Sequence, residues 1–274
     1  MHPSKRVVLG EPAIDLDGSA GTVAAILVRP RTGDSPALVI KRNLLIRKQR
    51  VVPVEAIVGA TDDAIHLGIT HRELDAFPEF RFSPYLAPQN FPQAVGSFQP
   101  AGVRVVRVGQ QVVCLDGEAG TVEFATLDTA ARRVNYFVAS HRQRDRLTRI
   151  DPVLVQEITR SLLLLDAGRA DFDSLPLYRQ DHEIEADVLT AIWRDSELQV
   201  ADLQSVRVRS LDGIVELSGS VHTQKARYEI FAAARGVPGV LSILDRMDDI
   251  AAFEALATQT IDAIEQARAS GNPG

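Results

Sequence analysis

The chain has 274 residues, of which 45% are hydrophobic and 24% charged, the composition of an ordinary globular protein. No apolar run approaches the roughly 20 residues that span a bilayer, and the N-terminus lacks the apolar core of a secretory signal, so we expect a cytoplasmic protein. The single cysteine, Cys114, excludes an internal disulfide. The formal net charge of −6 is uneven, because residues 1–80 sum to 0, residues 81–180 to +2 and residues 181–274 to −8. This argues against nonspecific nucleic-acid binding by the C-terminal third.

The first two thirds of the chain are an internal duplication. Residues 15–23 have the sequence DLDGSAGTV, and residues 114–122 have the sequence CLDGEAGTV. The same register aligns Pro53 with Pro152 and, after the loss of one residue, Pro78 with Pro176. A register kept over about sixty residues indicates a duplicated domain rather than a chance motif.

Within each copy the pattern is that of short strands. Residues 22–28 and 37–40 are β-branched runs separated by a turn-forming segment. We assign structural turn roles to the glycines Gly18, Gly21, Gly117 and Gly120. A phosphate-binding loop is the alternative for GSAGT, but neither a Gly-Lys-Ser/Thr sequence nor a helix start follows it. Many short strands in so small a unit predict closure into an all-β barrel, which removes exposed strand edges.

The order of these motifs resembles the PRC-barrel family, named for the photosynthetic reaction-centre H subunit and also found at the C-terminus of a ribosome maturation factor. In the first copy the Leu-Asp-Gly-x-x-Gly-Thr-Val turn is followed by VVPVEAI at residues 51–57 and by LDAFP at residues 74–78. The second copy is looser, with IDPV at residues 150–153 and FDSLP at residues 172–176. The resemblance predicts one barrel domain at residues 1–80 and another at residues 103–178.

Residues 81–102 contain four prolines without any periodicity, which predicts an extended linker between the two copies. The linker also contains the aromatic residues Phe82, Tyr85, Phe91 and Phe98. We expect them to pack back onto the barrels and to fix the angle between them. A docking strip for a partner is the alternative.

Each copy carries basic residues at the same place, just before the aligned proline. The candidate binding residues of these basic hairpins are Lys41, Arg42, Arg47, Lys48 and Arg50 in the first copy and Arg142, Arg144, Arg146 and Arg149 in the second. They could hold RNA phosphate, an anionic lipid surface or an acidic protein face. The alternative is a solvated hairpin whose charges oppose aggregation. Few aromatic residues are interleaved with them, which weakens the single-strand nucleic-acid version, because base stacking requires aromatic rings.

From Asp181 onward the periodicity changes to that of a mixed α/β module. A helix is predicted from residue 181, strands at residues 206–208 and 214–221, a second helix at residues 223–235 and a last strand at residues 241–244. We assign structural turn roles to Gly213, Gly219 and Gly239.

This module resembles a BON domain at residues 181–247. The resemblance is carried by Gly213, Val215, Leu217, Gly219 and Val221, followed by Val237, Gly239 and Val240. It implies a small α/β sandwich, in a family proposed to contact phospholipid or to mediate attachment. The charge of −8 argues against direct adhesion of this domain to anionic lipid.

The last segment, residues 248–274, has the pattern of one helix and a short tail. Asp248 and Asp249 are expected at the start of the helix, and an apolar stripe follows from Ile250 to Ile264. We expect this stripe to cover the free face of its own domain. The seam of a homodimer is the alternative.

The chain offers no convergent set of catalytic groups. The nearest approach to a metal cluster is His66, His71 and Glu73, but on a strand residues five apart face opposite sides of the sheet. Cys114 has no adjacent base and is expected to be an inert small hydrophobe. We therefore predict no catalytic residue, no metal and no cofactor.

The sequence thus predicts a multidomain protein with two small all-β barrels, an α/β sandwich and a C-terminal helix. We expect a non-enzymatic adapter or scaffold that binds a protein or ribonucleoprotein surface through its barrels. One alternative is an RNA-processing or ribosome-assembly accessory factor. The other is a peripheral membrane-associated protein that contacts anionic lipid. The sequence indicates no small-molecule substrate.

Overall fold

A computed structural model describes residues 6–42, 48–61, 63–82, 102–142, 145–194, 198 and 200–249. By its internal contacts the chain separates into two compact units, Met1–Pro176 and Leu177–Gly274. The predicted C-terminal helix lies outside the described residues, as do Arg47, Arg144 and the linker aromatics Tyr85, Phe91 and Phe98.

The first copy of the duplication forms one seven-stranded sheet with a short helix. After strand β1 (Arg6–Val8), this copy contains β2 (Pro12–Asp15), β3 (Gly18–Val28), β4 (Ala37–Lys41), β5 (Gln49–Pro53), β6 (Ile57–Ala60), β7 (Ile65–Leu67) and helix α1 (His71–Ala76). Six of its strands lie in the order β5-β4-β3-β2-β7-β6, and the seventh strand of the sheet, Arg104–Val106, comes from the second copy and pairs with β3. Only the β2–β7 pair of this path is parallel.

The second copy repeats this topology strand for strand. It contains β8 (Arg104–Val106), β9 (Gln111–Cys114), β10 (Gly117–Asp128), β11 (Arg133–His141), β12 (Leu147–Ile150), β13 (Val155–Ile158), β14 (Leu162–Leu165) and helix α2 (Arg169–Ser174). Six strands lie in the order β12-β11-β10-β9-β14-β13. The predicted duplication is therefore confirmed as a repeated sheet, whereas closure of either sheet into a barrel stays a prediction.

Each copy gives its first strand to the sheet of the other copy. Strand β1 pairs antiparallel with β10, so that Val7 lies opposite Leu127. Strand β8 pairs antiparallel with β3, so that Val105 lies opposite Leu27. One hydrophobic core cluster contains residues of both copies. The two copies are therefore joined by reciprocal strand exchange into one intertwined unit.

Two glycines inside the long strands allow the strands to approach each other closely. A Cβ atom at Gly21 would overlap the carbonyl oxygen of Lys41, and a Cβ atom at Gly120 would overlap that of Ser140. Both glycines lie within strands, whereas Gly18 and Gly117 begin β3 and β10 directly after the predicted turns. The equivalent glycines of the two copies thus serve the same packing need.

The linker aromatic that the structure describes packs on the N-terminal unit, as predicted. The Phe82 ring meets the Phe80 ring edge-on, with 6.1 Å between the ring centroids. The guanidinium carbon of Arg107 lies 4.5 Å from the Phe82 ring centroid. Phe80 belongs to a smaller apolar cluster with residues of β3, β4, β5 and β8. Phe82 therefore contacts Phe80, which precedes the linker, and Arg107, which follows it.

The second unit is a three-stranded sheet with helices. It contains α3 (Asp181–Trp193), α4 (Val200–Ser205), β15 (Arg207–Leu211), β16 (Ile214–Val221), α5 (Gln224–Arg235) and β17 (Ser242–Asp249), with the strand order β15-β16-β17. Ile184 and Val188 of α3 and Ile230 of α5 share a core cluster with Val215 and Leu217 of β16. The predicted helix–hairpin–helix–strand order is confirmed, and the structure adds the short helix α4.

The prediction that Asp248 and Asp249 begin a helix is wrong. Both residues belong to strand β17, which continues in parallel pairing with β16 until Asp249 lies opposite Val221. The sequence pattern ended this strand at Leu244, because Asp245 and Arg246 interrupt the apolar run. Backbone pairing with the full length of β16 carries the strand five residues further.

Candidate functional site

Two arginines of the first basic hairpin bind the closing segment of their own copy. The guanidinium of Arg42 lies 2.6 Å from an Asp75 carboxylate oxygen, and the Arg42 side chain is only 8% exposed. Arg50 donates a hydrogen bond of 3.0 Å to the carbonyl oxygen of Phe77. These contacts hold the end of α1 against β4 and β5, so both arginines serve the fold.

The second hairpin uses different residues for the same purpose. Arg146 donates a 2.6 Å hydrogen bond to the carbonyl oxygen of Leu175. Arg149 is buried, with its guanidinium carbon 4.3 Å from the Tyr136 ring centroid. His141 takes the place of Arg42, with its Nδ1 3.3 Å from Asp173.

The predicted basic surface is therefore smaller than the sequence suggests. Of the predicted residues that the structure describes, Arg42, Arg50, Arg146 and Arg149 contact their own chain. Lys48 is exposed, Lys41 is half-buried, and Arg142 is exposed while it pairs with Glu118. Binding by these hairpins stays a prediction. Reversing the charge of these four arginines would disturb the fold as well as any ligand binding, so the result could not be assigned to binding alone.

Replacing Asp75 with asparagine is expected to destabilise the N-terminal unit at neutral pH. The hydrogen bond from Arg42 lowers the pKa of the Asp75 carboxyl, so the ionised form contributes stability. That contribution is present above the unfolded pKa and is lost as pH falls through the lower folded pKa. Because the Asp75 side chain is 49% exposed, we discount the expected cost to about 1 kcal/mol. Urea unfolding at pH 7 and pH 3 measures this loss in the free energy of unfolding.

The matched control is Asp173→Asn in the second copy. Its partner His141 can lose its proton, whereas Arg42 cannot, so this variant leaves no obligatory buried charge behind. We expect Asp173→Asn to cost less than Asp75→Asn at pH 7, and the difference between Asp75→Asn and the parent chain to shrink at pH 3. Equal costs for the two variants, or a difference independent of pH, would contradict this account.

An acidic cluster with one histidine lies at the first turn of the first copy. Asp15 ends β2, Asp17 occupies the turn, and His71 begins α1. One ligand atom from each of these residues lies within 4.8 Å of the other two. His71 Nε2 is 3.5 Å from Asp15 Oδ2 and 3.0 Å from the carbonyl oxygen of Ser19. The interpretation that His66 and His71 share a strand is wrong, because His71 starts a helix.

The second copy keeps the backbone of this turn and changes its chemistry. The Arg169 backbone N–H donates to Asp116 at 2.8 Å, as the His71 N–H donates to Asp17 at 2.7 Å. However, Cys114 stands at the place of Asp15. Burial raises the pKa of the Cys114 thiol to about 11, so it stays protonated, as predicted for an inert cysteine.

The outer face of the C-terminal sheet carries a mixed set of arginines and apolar residues. Strand pairing places Arg207, Ser218 and Arg246 in one row across the three strands. The next row contains Arg209, Glu216 and Leu244, and the row after it contains Leu211, Ile214 and Ser242. The three apolar residues are between 41% and 51% exposed. This face is therefore apolar at one end and carries three arginines further along, with Glu216 among them and exposed Asp248 in the row beyond, opposite Ser220.

Sequence reasoning missed this face, although its signal is present. The sequence RVRSL of β15 alternates exposed Arg207, Arg209 and Leu211 with half-buried Val208 and Ser210. Ser210 points to the helix side, where its hydroxyl donates a 2.8 Å hydrogen bond to Asp181. The alternation alone identifies two faces, but cross-strand pairing is needed to group the three arginines.

Comparison with known families agrees with the C-terminal resemblance. Residues 180–248 match the BON domain model, which covers about a quarter of the chain. No curated protein matches the chain. None of the helices in the described ranges has both the length and the hydropathy needed to cross a bilayer.

Proposed function

We propose that this protein is a non-enzymatic, membrane-peripheral adapter. Its C-terminal unit, which contains the BON match, attaches to an anionic phospholipid surface, and its N-terminal unit, a tandem of PRC-barrel-like copies, presents a protein-binding surface. The observation that carries the proposal is the outer face of the C-terminal sheet. BON domains are associated with phospholipid binding, and this face has the side chains that such binding requires.

The arrangement of the face suits the boundary between lipid headgroups and acyl chains. Leu211, Ile214 and Leu244 can enter the interfacial region, while Arg207 and Arg209 meet lipid phosphates. Arg246 lies on the same face and pairs with Glu216 at 3.3 Å. Burial of the three apolar side chains contributes a free energy of binding that salt does not screen.

The acidic charge of the C-terminal third does not exclude this mode of binding. Electrostatic attraction to a membrane falls off within a Debye length, which is about 8 Å at physiological ionic strength. A surface charge therefore acts chiefly through the side chains that face the lipid. Acidic residues of α3, such as Asp181 and Glu185, hydrogen-bond to Ser210 from the helix side of the sheet. The local face, rather than the sum of −8, determines the interaction.

Neutralising two arginines of this face is expected to weaken vesicle binding. Each arginine near an anionic bilayer contributes about 1 kcal/mol, so Arg207→Gln with Arg209→Gln should lower the partition coefficient roughly 30-fold. The measurement is co-sedimentation of the full chain with vesicles in which about one third of the lipid is phosphatidylglycerol, a fraction chosen to give a strong surface potential. Vesicles of phosphatidylcholine alone provide the comparison.

The matched control replaces two exposed arginines on the helical side, Arg194 and Arg235, with glutamine. It changes the net charge by the same amount but leaves the sheet face intact. We expect its binding to equal that of the parent chain. If both double variants lose binding equally, net charge and not the sheet face is responsible. If the parent chain does not bind anionic vesicles, the lipid proposal fails.

A protein-binding role for the N-terminal unit is favoured by one repeated feature. Leu16 and Leu115 occupy equivalent positions in the two copies, and they are 68% and 65% exposed. Two equivalent exposed leucines suit an apolar partner surface, and such a contact depends little on salt. The test is cross-linking in cells followed by a high-salt wash. Loss of the captured partner in Leu16→Ser with Leu115→Ser supports this role, and retention contradicts it.

A further inference from the structure

One carboxylate of the N-terminal unit is buried without sufficient hydrogen bonding. The Asp15 side chain is 0% exposed. Its Oδ1 accepts the Asp17 backbone N–H at 2.9 Å, whereas its Oδ2 is buried with no hydrogen-bond partner. The His71 ring nitrogen is 3.5 Å from this oxygen, beyond the usual length of a hydrogen bond, and a buried carboxylate oxygen left in this way is disfavoured, which indicates a cation beside it. His71 and Asp17 lie around it.

We propose that Asp15, Asp17 and His71 bind a divalent transition-metal ion. The ion contacts Asp15 Oδ2 and His71 Nε2, which are 3.5 Å apart. Two ligands at bond lengths of about 2.0–2.1 Å and tetrahedral to octahedral angles are roughly 2.8–3.4 Å apart. The two atoms therefore lie close to the separation that a shared metal requires. His71 Nε2 donates a hydrogen bond of 3.0 Å to the Ser19 carbonyl oxygen, so the ion takes the place of this donated proton and the oxygen is positioned as a further ligand.

The surrounding backbone fixes the orientation of these ligands. The Asp17 carboxylate accepts the His71 N–H at 2.7 Å and so ties the turn to the start of α1. Thr70 and Glu73 form a capping box that holds the first turn of this helix. The capping box is an outer contact of the kind that positions metal ligands and tunes their affinity. Asp15 is likewise oriented by its own hydrogen bond from Asp17.

The donor set indicates the class of metal. Imidazole together with carboxylate suits Zn²⁺ and related transition ions, whereas Mg²⁺ and Ca²⁺ prefer oxygen ligands alone. Two carboxylates match the charge of a divalent ion. His71 and Asp17 have side chains that are 33% and 48% exposed, so the ion would keep an open side for water or a ligand.

The second copy supplies an internal reference that cannot bind the ion in the same way. Cys114 and Arg169 stand where the first copy has Asp15 and His71. The Cys114 thiol is protonated at neutral pH, and a guanidinium is not a metal ligand. The two copies therefore predict one strong site per chain.

The experiment is a Zn²⁺ titration of the metal-free full chain in competition with a chromophoric chelator. We expect one equivalent to bind with high affinity and the His71 imidazole resonances to shift in step. Asp15→Asn keeps the shape and the Oδ1 acceptor and removes the charge. It should weaken binding by at least about 100-fold, more than the usual effect of an outer-shell residue. His71→Gln should give a similar loss.

The matched control is Asp116→Asn, which removes the equivalent turn carboxylate of the second copy and should leave Zn²⁺ binding unchanged. Thermal unfolding without metal checks that Asp15→Asn is folded, and added Zn²⁺ should raise the melting temperature of the parent chain and of Asp116→Asn but not that of Asp15→Asn. No stoichiometric binding, unchanged affinity in Asp15→Asn, or a His71 resonance that does not respond to Zn²⁺ would each overturn the proposal.

Discussion

Replacing Gly21 with alanine is expected to strongly destabilise the N-terminal unit. Gly21 has φ +134, which strains any residue with a side chain, and the added Cβ would overlap the Lys41 carbonyl oxygen. Because that oxygen belongs to the backbone of β4, relief requires the β3–β4 pair to separate. Positive-φ strain costs about 1–3 kcal/mol and overpacking a similar amount, so we expect a loss of about 4 kcal/mol.

The control for this prediction is Gly18→Ala in the same strand. Gly18 also has a positive φ, +125, but a Cβ added there would meet no atom within 4 Å, so this variant reports backbone strain alone. We expect it to cost about 1–2 kcal/mol. Urea unfolding monitored by circular dichroism measures both variants. Equal costs would show that close approach of the two strands contributes nothing.

Removing residues 1–9 is expected to destabilise the second copy rather than the first. The deletion removes β1, which pairs with β10, and with it the buried side chains Val7 and Leu9. Fully burying two such side chains contributes about 4 kcal/mol, and the deletion also leaves one edge of β10 unpaired. Hydrogen exchange should therefore show loss of protection at residues 126–128 of β10, while the β3–β8 pair keeps its protection longer.

The control is a chain that lacks only residues 1–5, which keeps β1 and should exchange like the parent chain. Loss of protection in β3 before β10 would mean that the first strand stabilises its own copy, contrary to the observed strand pairing. An unchanged exchange pattern after deletion of residues 1–9 would mean that β1 adds nothing to the sheet. The comparison therefore tests the strand exchange itself and not only the stability of the unit.

Local patterns predicted most of the secondary structure. The runs at residues 22–28 and 37–40 lie within β3 and β4, and the helix predicted at residues 223–235 is α5, Gln224–Arg235. These elements are specified by periodicity and turn residues within a few positions of one another. The short helices α1 and α2 were not predicted, because six residues give too little periodicity.

The candidate sites depend on contacts between residues that are distant in sequence. Arg42 meets Asp75, and Asp15 meets His71. A basic run shows that charge is present, but it cannot show whether each side chain faces water or its own chain. For the same reason the arginines of the C-terminal sheet became a group only when the strand register was known.

The sequence by itself determined the duplication, the β character of both copies, the inert cysteine and the α/β order of the C-terminal unit. The tertiary structure alone decided which copy receives β1 and β8, which arginines stay exposed, and that Asp15 is buried beside His71. The physical reason is that the two copies have nearly the same hydrophobic pattern. Either sheet can therefore accept either first strand by local criteria, and only long-range backbone pairing and burial select one arrangement.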